Sequence, residues 1–323
     1  MKKFSIIIPN YNGRVLLEKN LPRVKKAALT SGFECEVIVV DDGSRDTSVD
    51  FLRKDFPDIR IVVLKKNSGF GKAINAAVSR AEGEILVLLN NDIVPQKNFL
   101  KPLLSHFSES RKGEIFAVSC LQEVVEEEDS FLGGGAAGRF IHGFLKHESI
   151  FKNTKPGSQL LYSFYASGGA AAFNREKFLQ LNGLDEIFSP FYFEDADISM
   201  RAWKRGWKTL VDPKSRVLHN HQSTVTLEFS KFFRKTVGQR NFILFTWRHI
   251  EGARMLLLHL FWLPFYFIRS VLRFDLYFLS GFLWAILFLP QIMSRRIKDQ
   301  RENEKGNFKY NVSEILNFSQ NHE

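Results

Sequence analysis

The chain has 323 residues, 45% of them hydrophobic, and carries 45 Lys and Arg against 35 Asp and Glu, a net charge of +10. That apolar content excludes a disordered chain, and two distant cysteines, Cys35 and Cys120, exclude a disulfide framework or a Cys-based zinc site and point to a reducing compartment. Residues 230–323 hold 14 basic and 7 acidic side chains while residues 1–229 hold 31 and 28, so the basic excess lies in the tail that also carries the longest apolar runs. This pairing points to an anionic membrane surface. Basic residues are not interleaved with aromatics as in RNA-binding folds, so no nucleic-acid partner is expected. The apolar stretch after Met1-Lys2-Lys3 is too short for an export signal.

From the N-terminus, short apolar runs at 4–8, 36–40, 59–64, 85–89 and 115–119 predict strands, several of them without alternation, as in a parallel sheet buried on both faces. Helix-period segments at 14–30, 46–54, 71–81 and 97–109 fall between them. The succession predicts an α/β layer with right-handed crossovers, whose ligands bind beyond the carboxyl ends of the strands. Those ends carry Pro9-Asn10-Tyr11-Asn12-Gly13, Asp41-Asp42-Gly43-Ser44, Asn67-Ser68-Gly69 and Asn90-Asn91-Asp92. Residues 123–160, with an acidic run and Gly133-Gly134-Gly135, read as a solvated, mobile excursion or as a loop that orders over substrate. Ser167-Gly168-Gly169 and its small-residue neighbours follow, then Glu194-Asp195-Ala196-Asp197 at the head of a helix, then His219-Asn220-His221 after an apolar run.

Two C-terminal apolar stretches, 255–268 and 276–293, have basic flanks and each contains a proline. Three readings stay open: helices lying in the membrane interface, a re-entrant or spanning hairpin, or buried core of a soluble protein. The expected division is a domain over 1–248, with a nucleotide-binding half over 1–120 and an acceptor half over 121–248. Membrane-associated helices over 249–297 and a loosely held polar tail over 298–323 complete it.

No GxGxxG follows the first strand and no GxxxxGK[ST] occurs, which counts against dehydrogenases and P-loop ATPases. What remains is a set of carboxylates and histidines at strand ends. One or two carboxylates, a histidine and the oxygens of a diphosphate make a sensible octahedral set for Mg²⁺ or Mn²⁺. Such an ion neutralises a diphosphate leaving group as its bond breaks.

In order, SIIIPNYNG, VIVVDDGSRD, NSGFGKAINAA, ILVLLNND, the stretch from ASGGAAAF to FEDADISMRAW, and VLHNHQST resemble glycosyltransferase family 2, with the GT-A nucleotide-sugar fold. The likeness covers about residues 3–248 and is similar to bacterial rhamnosyltransferase-like members. It implies a Rossmann-like, mainly parallel α/β sheet flanked by helices. Pro9, Tyr11, Asp41, Asp42, Asn67, Lys72, Asn90 and Asn91 would then face the donor nucleotide, with Asp42 on the base. Asp92 stands where the family has its metal-binding acid and His219 matches its late metal-binding histidine, with His221 the alternative. Asn90 departs from the family pattern by replacing the first acid. Asp195 resembles the catalytic base, with Glu194 beside it, and Gly168, Gly169 and Asp197 fall on the acceptor side.

The resemblance implies an inverting, metal-dependent transferase, and the apolar basic tail together with cytosolic sugar nucleotides puts it on the cytoplasmic membrane face, peripheral or monotopic. Its donor would be a nucleotide-diphospho-sugar and its acceptor a lipid-linked or cell-surface glycan. A nucleotidyltransferase and a non-catalytic membrane scaffold are the alternatives. The first lacks a basic glycine-rich loop after strand one, and the second is disfavoured by the joint presence of Asp42, Asp92, Asp195 and His219.

Overall fold

The computed structural model describes residues 3–108, 113–126, 129–152, 156–220 and 224–320. Its parallel half is built by β1 (Phe4–Asn10), β2 (Cys35–Asp41), β3 (Arg60–Val63) and β4 (Ile85–Leu89), each within a few residues of its expected run. β1 pairs in parallel with β2 and with β4, and β2 pairs in parallel with β3. The chain thus steps outward from β1 to β3 and returns to β4 on the other side of β1. The order reverses between β1 and β4, and at such a reversal the crossovers diverge and leave a crevice beyond the strand ends.

The crossovers are α1 (Arg14–Thr30), α2 (Ser48–Asp55) and α3 (Phe70–Val78). Leu17 and Leu21 of α1 and Leu52 of α2 pack on Ile6, Ile8 and Val39, while Ala73, Ile74 and Ala77 of α3 pack on Ile7, Ile38 and Val40. Successive residues of one strand feed opposite layers, which is why the runs are apolar without alternation.

Beyond β4 the sheet is mixed. β5 (Ile93–Pro95), α4 (Leu100–Ser105) and β6 (Ile115–Glu126) come first, then β7 (Asp129–Gly133), β8 (Ala136–Ile141), β9 (Phe144–Ser149) and β10 (Leu161–Tyr162). β11 (Ala170–Asn174) inserts antiparallel between β4 and β6, and β12 (Lys208–Asn220) runs parallel to β6. The main path of the sheet is β10-β12-β6-β11-β4-β1-β2-β3.

The mobile excursion expected over 123–160 is replaced, in its described part, by paired strands. β7 extends the sheet from β6, and β8 and β9 form a hairpin whose Phe144 and Leu145 are fully buried. The glycines there serve close approach: a Cβ on Gly134 would lie 2.0 Å from the Cys120 carbonyl oxygen.

Helices α5 (Arg175–Gln180) and α6 (Glu194–Lys204) cover the α3 side of the sheet, and α7 (Thr224–Glu228), α8 (Lys231–His249), α9 (Gly252–Leu272), α10 (Leu276–Leu287), α11 (Leu289–Glu304) and α12 (Val312–Gln320) follow β12. Packing does not stop at residue 248. Phe144 of β9, Trp203 of α6, Ile243 and Leu244 of α8, Ala285 of α10, Ile292 of α11 and Ile315 of α12 share one buried cluster. The tail also differs from the loosely held segment expected over 298–323. Phe318 stacks on Trp203 with ring centroids 5.8 Å apart, and Gly138 N–H donates to Ser319 Oγ at 2.9 Å. Its polar composition hid a nine-residue helix with one buried face.

Candidate active site

The crevice at the β1/β4 reversal is a cleft of about 450 Å³, within the usual range for small-molecule sites. Pro9 and Tyr11 from the end of β1, Asp42 from β2, Asn67 after β3, and Asn90 and Asn91 after β4 line one side. The two central strand ends are stitched together: Asn91 Nδ2 donates to Asn10 Oδ1 at 2.9 Å, and Asn10 Nδ2 to Asp41 Oδ2 at 3.0 Å. Gly13 is required there, because a Cβ would lie 2.3 Å from Asn91 Nδ2.

Asp42 accepts from the Ser68 and Gly69 N–H groups, each at 2.8 Å. Burial nevertheless raises its carboxyl to about 6, outweighing those hydrogen bonds. Two expected donor-side residues sit elsewhere. Asp41 is fully buried and spends its oxygens on Asn10, Ser44 N–H and Ser44 Oγ, so it shapes the β2–α2 turn and ties it to the end of β1 rather than facing the cleft. Lys72 is exposed on α3 outside the cleft lining, and only its charge acts on Asp42.

Opposite β1, His219 is paired with Ile93 in the β5–β12 register, which sets it beside Asp92. His219 Nε2 lies 3.2 Å from Asp92 Oδ2. Asp92 is 2% exposed, and its Oδ1 is buried with no hydrogen-bond partner among the described residues, as is Asn90 Oδ1. An orphaned buried carboxylate oxygen is costly unless a cation meets it. Among the described residues no group of three or more His, Cys, Asp and Glu gathers as a metal cage, so the chain offers a carboxylate–histidine pair and leaves the other positions of an octahedral ion to ligand oxygens. His221 lies outside the described residues.

The facing wall is the head of α6. Glu194 is buried and Asp195 half-buried, and both line the cleft. Asp195 accepts from the Gly168 N–H at 3.1 Å and the Ala196 N–H at 2.8 Å. Burial raises the carboxyls of both, and Glu194 is pushed further by the charge of Asp195. The backbone hydrogen bonds favour Asp195 as the ionised partner and Glu194 as the protonated one. Gly168 and Gly169 allow this closeness: a Cβ on Gly168 would crowd the Phe70 ring at 3.2 Å, and one on Gly169 would lie 2.8 Å from Asn90 Nδ2.

Asp197 is not on the acceptor side. It is fully buried on the opposite face of α6, 2.8 Å from Arg201 Nε, 2.8 Å from Arg248 Nη1 and 2.9 Å from His249 Nε2. Burial alone would raise its carboxyl, but the two guanidiniums and the His249 hydrogen bond hold it far below the usual range. Two residues further along the helix turns a side chain away from the cleft, a displacement that composition does not show.

The profile of "Glycosyl transferase family 2" matches residues 5–180, more than half of the chain and all of the strand-end residues from Pro9 to Asp92. The chain belongs to glycosyltransferase family 2. Among curated relatives, the O-antigen chain rhamnosyltransferase RfbN of Salmonella typhimurium is 26% identical over 235 residues, 72% of this chain and 70% of that protein. Polypeptide N-acetylgalactosaminyltransferase 10 of Rattus norvegicus is 27% identical over 202 residues, 59% of this chain but only 33% of that protein. The chain therefore spans about a third of that longer relative's length. The fold is shared with the crystal structure of GalNAc-T7 with UDP, GalNAc and Mn²⁺, at 19% identity and a TM-score of 0.62, covering 79% of this chain and 49% of that one.

Several residues of this family 2 cleft had no signal in the sequence. Tyr165 lies under Asp195, where burial and then the Asp195 charge raise its phenol. His147 reaches the lining from the β9 strand, its ring 4.9 Å from Tyr165 and 5.9 Å from Phe193. Phe191 and Phe229, with ring centroids 5.2 Å apart, also line it. His147 falls in the segment read as an excursion, so nothing tied it to the strand ends. Only the spacing of Tyr165 just ahead of Ser167-Gly168-Gly169 could have drawn attention to it.

Proposed function

We propose that the protein is an inverting, metal-dependent glycosyltransferase that moves a sugar from a nucleotide-diphospho-sugar to a hydroxyl of a lipid-linked or cell-surface glycan. The observation that carries this reading is the orphaned Asp92 Oδ1 beside His219, in one cleft with the carboxylate of Asp195. Asp92 and His219 would hold Mg²⁺ or Mn²⁺, which when bound neutralises the diphosphate as it leaves. The cation found with GalNAc-T7 supports the choice of ion.

Asp42 accepts a hydrogen bond from the base of the donor, while Pro9, Tyr11 and Asn67 shape the pocket around the nucleoside. Asp195 takes the proton of the acceptor hydroxyl as its oxygen bonds to the anomeric carbon and the bond from that carbon to the diphosphate breaks. Such general-base help is worth about 10²–10⁴-fold. The raised carboxyl of Asp195 matches the task, since a base nearer neutrality takes a proton more readily. Attack from the Asp195 side, with the diphosphate held near Asp92, inverts the anomeric centre. The RfbN likeness supports an acceptor in bacterial surface polysaccharide.

The membrane-facing part of the proposal rests on the C-terminal helices. α9 has 21 residues and a mean hydropathy of 1.6 over its most apolar window, yet only 17% of that window is buried. Leu257, Phe261, Leu272, Phe274 and Leu287 are 65–84% exposed, with Arg254, Arg269 and Arg273 exposed among them. The inner face of α9 is pinned to the fold, where His259 Nδ1 meets the Gly143 carbonyl at 2.8 Å and Trp247 Nε1 donates to His259 Nε2 at 2.9 Å. A helix held along the protein with its outer face apolar and its flanks basic suits the interface plane. Sugar nucleotides are cytosolic, which supports a cleft on the cytoplasmic face.

A panel of UDP-, GDP- and dTDP-sugars, each assayed for binding and hydrolysis with Mn²⁺ and with EDTA, tests the reading. One metal-dependent donor is expected. No binding or turnover with any donor, in folded protein supplied with lipid, would overturn it.

A further inference from the structure

The wall that presents Asp195 has an unusual backbone. Tyr192 and Phe193, the two residues before α6, both have φ of +76°, a left-handed conformation that is unfavourable for a non-glycine residue. Two such residues in succession persist only where the surroundings hold them. The holder is one side chain on α8. Asn241 is fully buried, and the two N–H groups of its Nδ2 serve the carbonyls of Phe188, Phe191 and Tyr192, 2.6, 2.9 and 2.9 Å away, one N–H shared between two of them. The carboxamide is itself oriented, because Arg240 Nε donates to Asn241 Oδ1 at 2.9 Å. A second arm of the Arg240 guanidinium donates to the Ser189 carbonyl.

Arg240 is 2% exposed and depends in turn on the C-terminal helices. Its guanidinium carbon lies 4.2 Å from the Trp284 ring centroid of α10 and 5.3 Å from that of Phe288 at the α10–α11 junction. The ring faces attract the planar cation and fix its plane, so the fork points at the segment 188–192. α10 lies directly on α8 here: a Cβ on Gly281 would be 2.9 Å from the Arg240 nitrogen and 2.9 Å from the Thr236 carbonyl oxygen. The held segment reaches the donor side as well, since Phe70 N–H donates to the Pro190 carbonyl at 2.9 Å beside Gly69, whose N–H binds Asp42.

We propose that Arg240 and Asn241 are positioning residues for Asp195, and that α10 and α11 brace the catalytic wall through the Trp284–Arg240 stack. The C-terminal helices are then part of the active-site scaffold as well as its apolar face. This rests on the glycosyltransferase reading for the role of Asp195, but the brace itself is read from the backbone. A misplaced base costs rate more than donor affinity, because Asp42 also accepts from the Ser68 N–H and Asp92 is paired with His219, contacts that lie outside 188–192.

The test uses the full chain in detergent or lipid, with Trp284→Ala, Arg240→Lys and Trp284→Phe. With the donor the panel identifies, Trp284→Ala and Arg240→Lys should each lower kcat about tenfold or more while the donor KM stays within about twofold. Trp284→Phe, which keeps a ring face on the guanidinium, should restore most of the rate. Amide exchange over 188–196 should rise in the first two variants while that of β4 does not. Unchanged kcat and unchanged exchange over 188–196 would overturn the proposal. So would parallel losses of kcat and donor binding with faster exchange in β4, which mark general destabilisation. If Trp284→Ala does not fold, Arg240→Lys gives the same decision. A wild-type protein inactive on every donor would sink the glycosyltransferase reading alone, and the exchange data would still decide the brace.

Discussion

Asp195 and Asp197 stand two residues apart on one helix, and their surroundings make opposite use of burial. Asp195 faces the cleft with backbone N–H groups, those of Gly168 and Ala196 among them, to stabilise its charge, and its carboxyl is raised. Asp197 faces Arg201, Arg248 and His249, and its carboxyl is lowered. A buried acid whose charge is over-compensated is locked and serves the fold, while one whose charge is under-compensated is poised to take a proton. The same division separates Asp42, which faces the cleft with a raised carboxyl, from Asp185, whose carboxylate is forked by Arg295, reached by Arg248 at 2.7 Å and lowered.

The largest effect that would break this contrast is on turnover. Asp195→Asn is expected to lower transfer about 10²–10⁴-fold with nucleotide affinity nearly unchanged. Because the folded state already disfavours the Asp195 charge, the melting temperature should hold or rise. Near-normal turnover would move the base to Glu194. Asp197→Ala should do the reverse, costing about 3–5 kcal/mol of stability by leaving buried guanidinium charge unpaired. Calorimetry at neutral pH reads this directly, and a melting temperature equal to wild type would remove the structural role. The sign with pH follows from the lowered carboxyl. The contribution of Asp197 is present above the ordinary Asp value of about 3.9 and is lost as pH falls below it, so wild type and variant should converge in stability only in acid.

Asp92→Ala is expected to weaken Mn²⁺ binding about tenfold or more, and metal-dependent donor binding with it. Titration calorimetry with Mn²⁺ alone and with nucleotide separates the two. Unchanged Mn²⁺ affinity would leave the orphaned Oδ1 without a purpose. The smallest effect concerns Asp42. Its carboxyl, at about 6, loses its charge as pH falls through that value, so donor affinity should decline several-fold from pH 7 to 5. Asp42→Asn should flatten that profile, and a wild-type profile already flat over this range would remove Asp42 from base recognition.

The sequence by itself determined the parallel half of the sheet. Continuous apolar runs dictate strands buried on both faces, short polar motifs end them, and the covalent order places those motifs at one edge once the strands are parallel. Asp42, Asp92, Asp195 and His219 were therefore legible at positions where the chain must stop being apolar. Tertiary structure alone decided which neighbours point inward: Asp41 and Asp197 match the same motifs as Asp42 and Asp195, yet each faces partners brought from elsewhere in the chain, Asn10 for one and Arg248 and His249 for the other. It also decided the fate of residues 123–160 and of the tail, where glycines serve backbone contact and a polar helix hides one buried face. Composition averages over both sides of an element, whereas burial and charge compensation act on one side at a time. Orientation over a single residue step therefore had to come from packing.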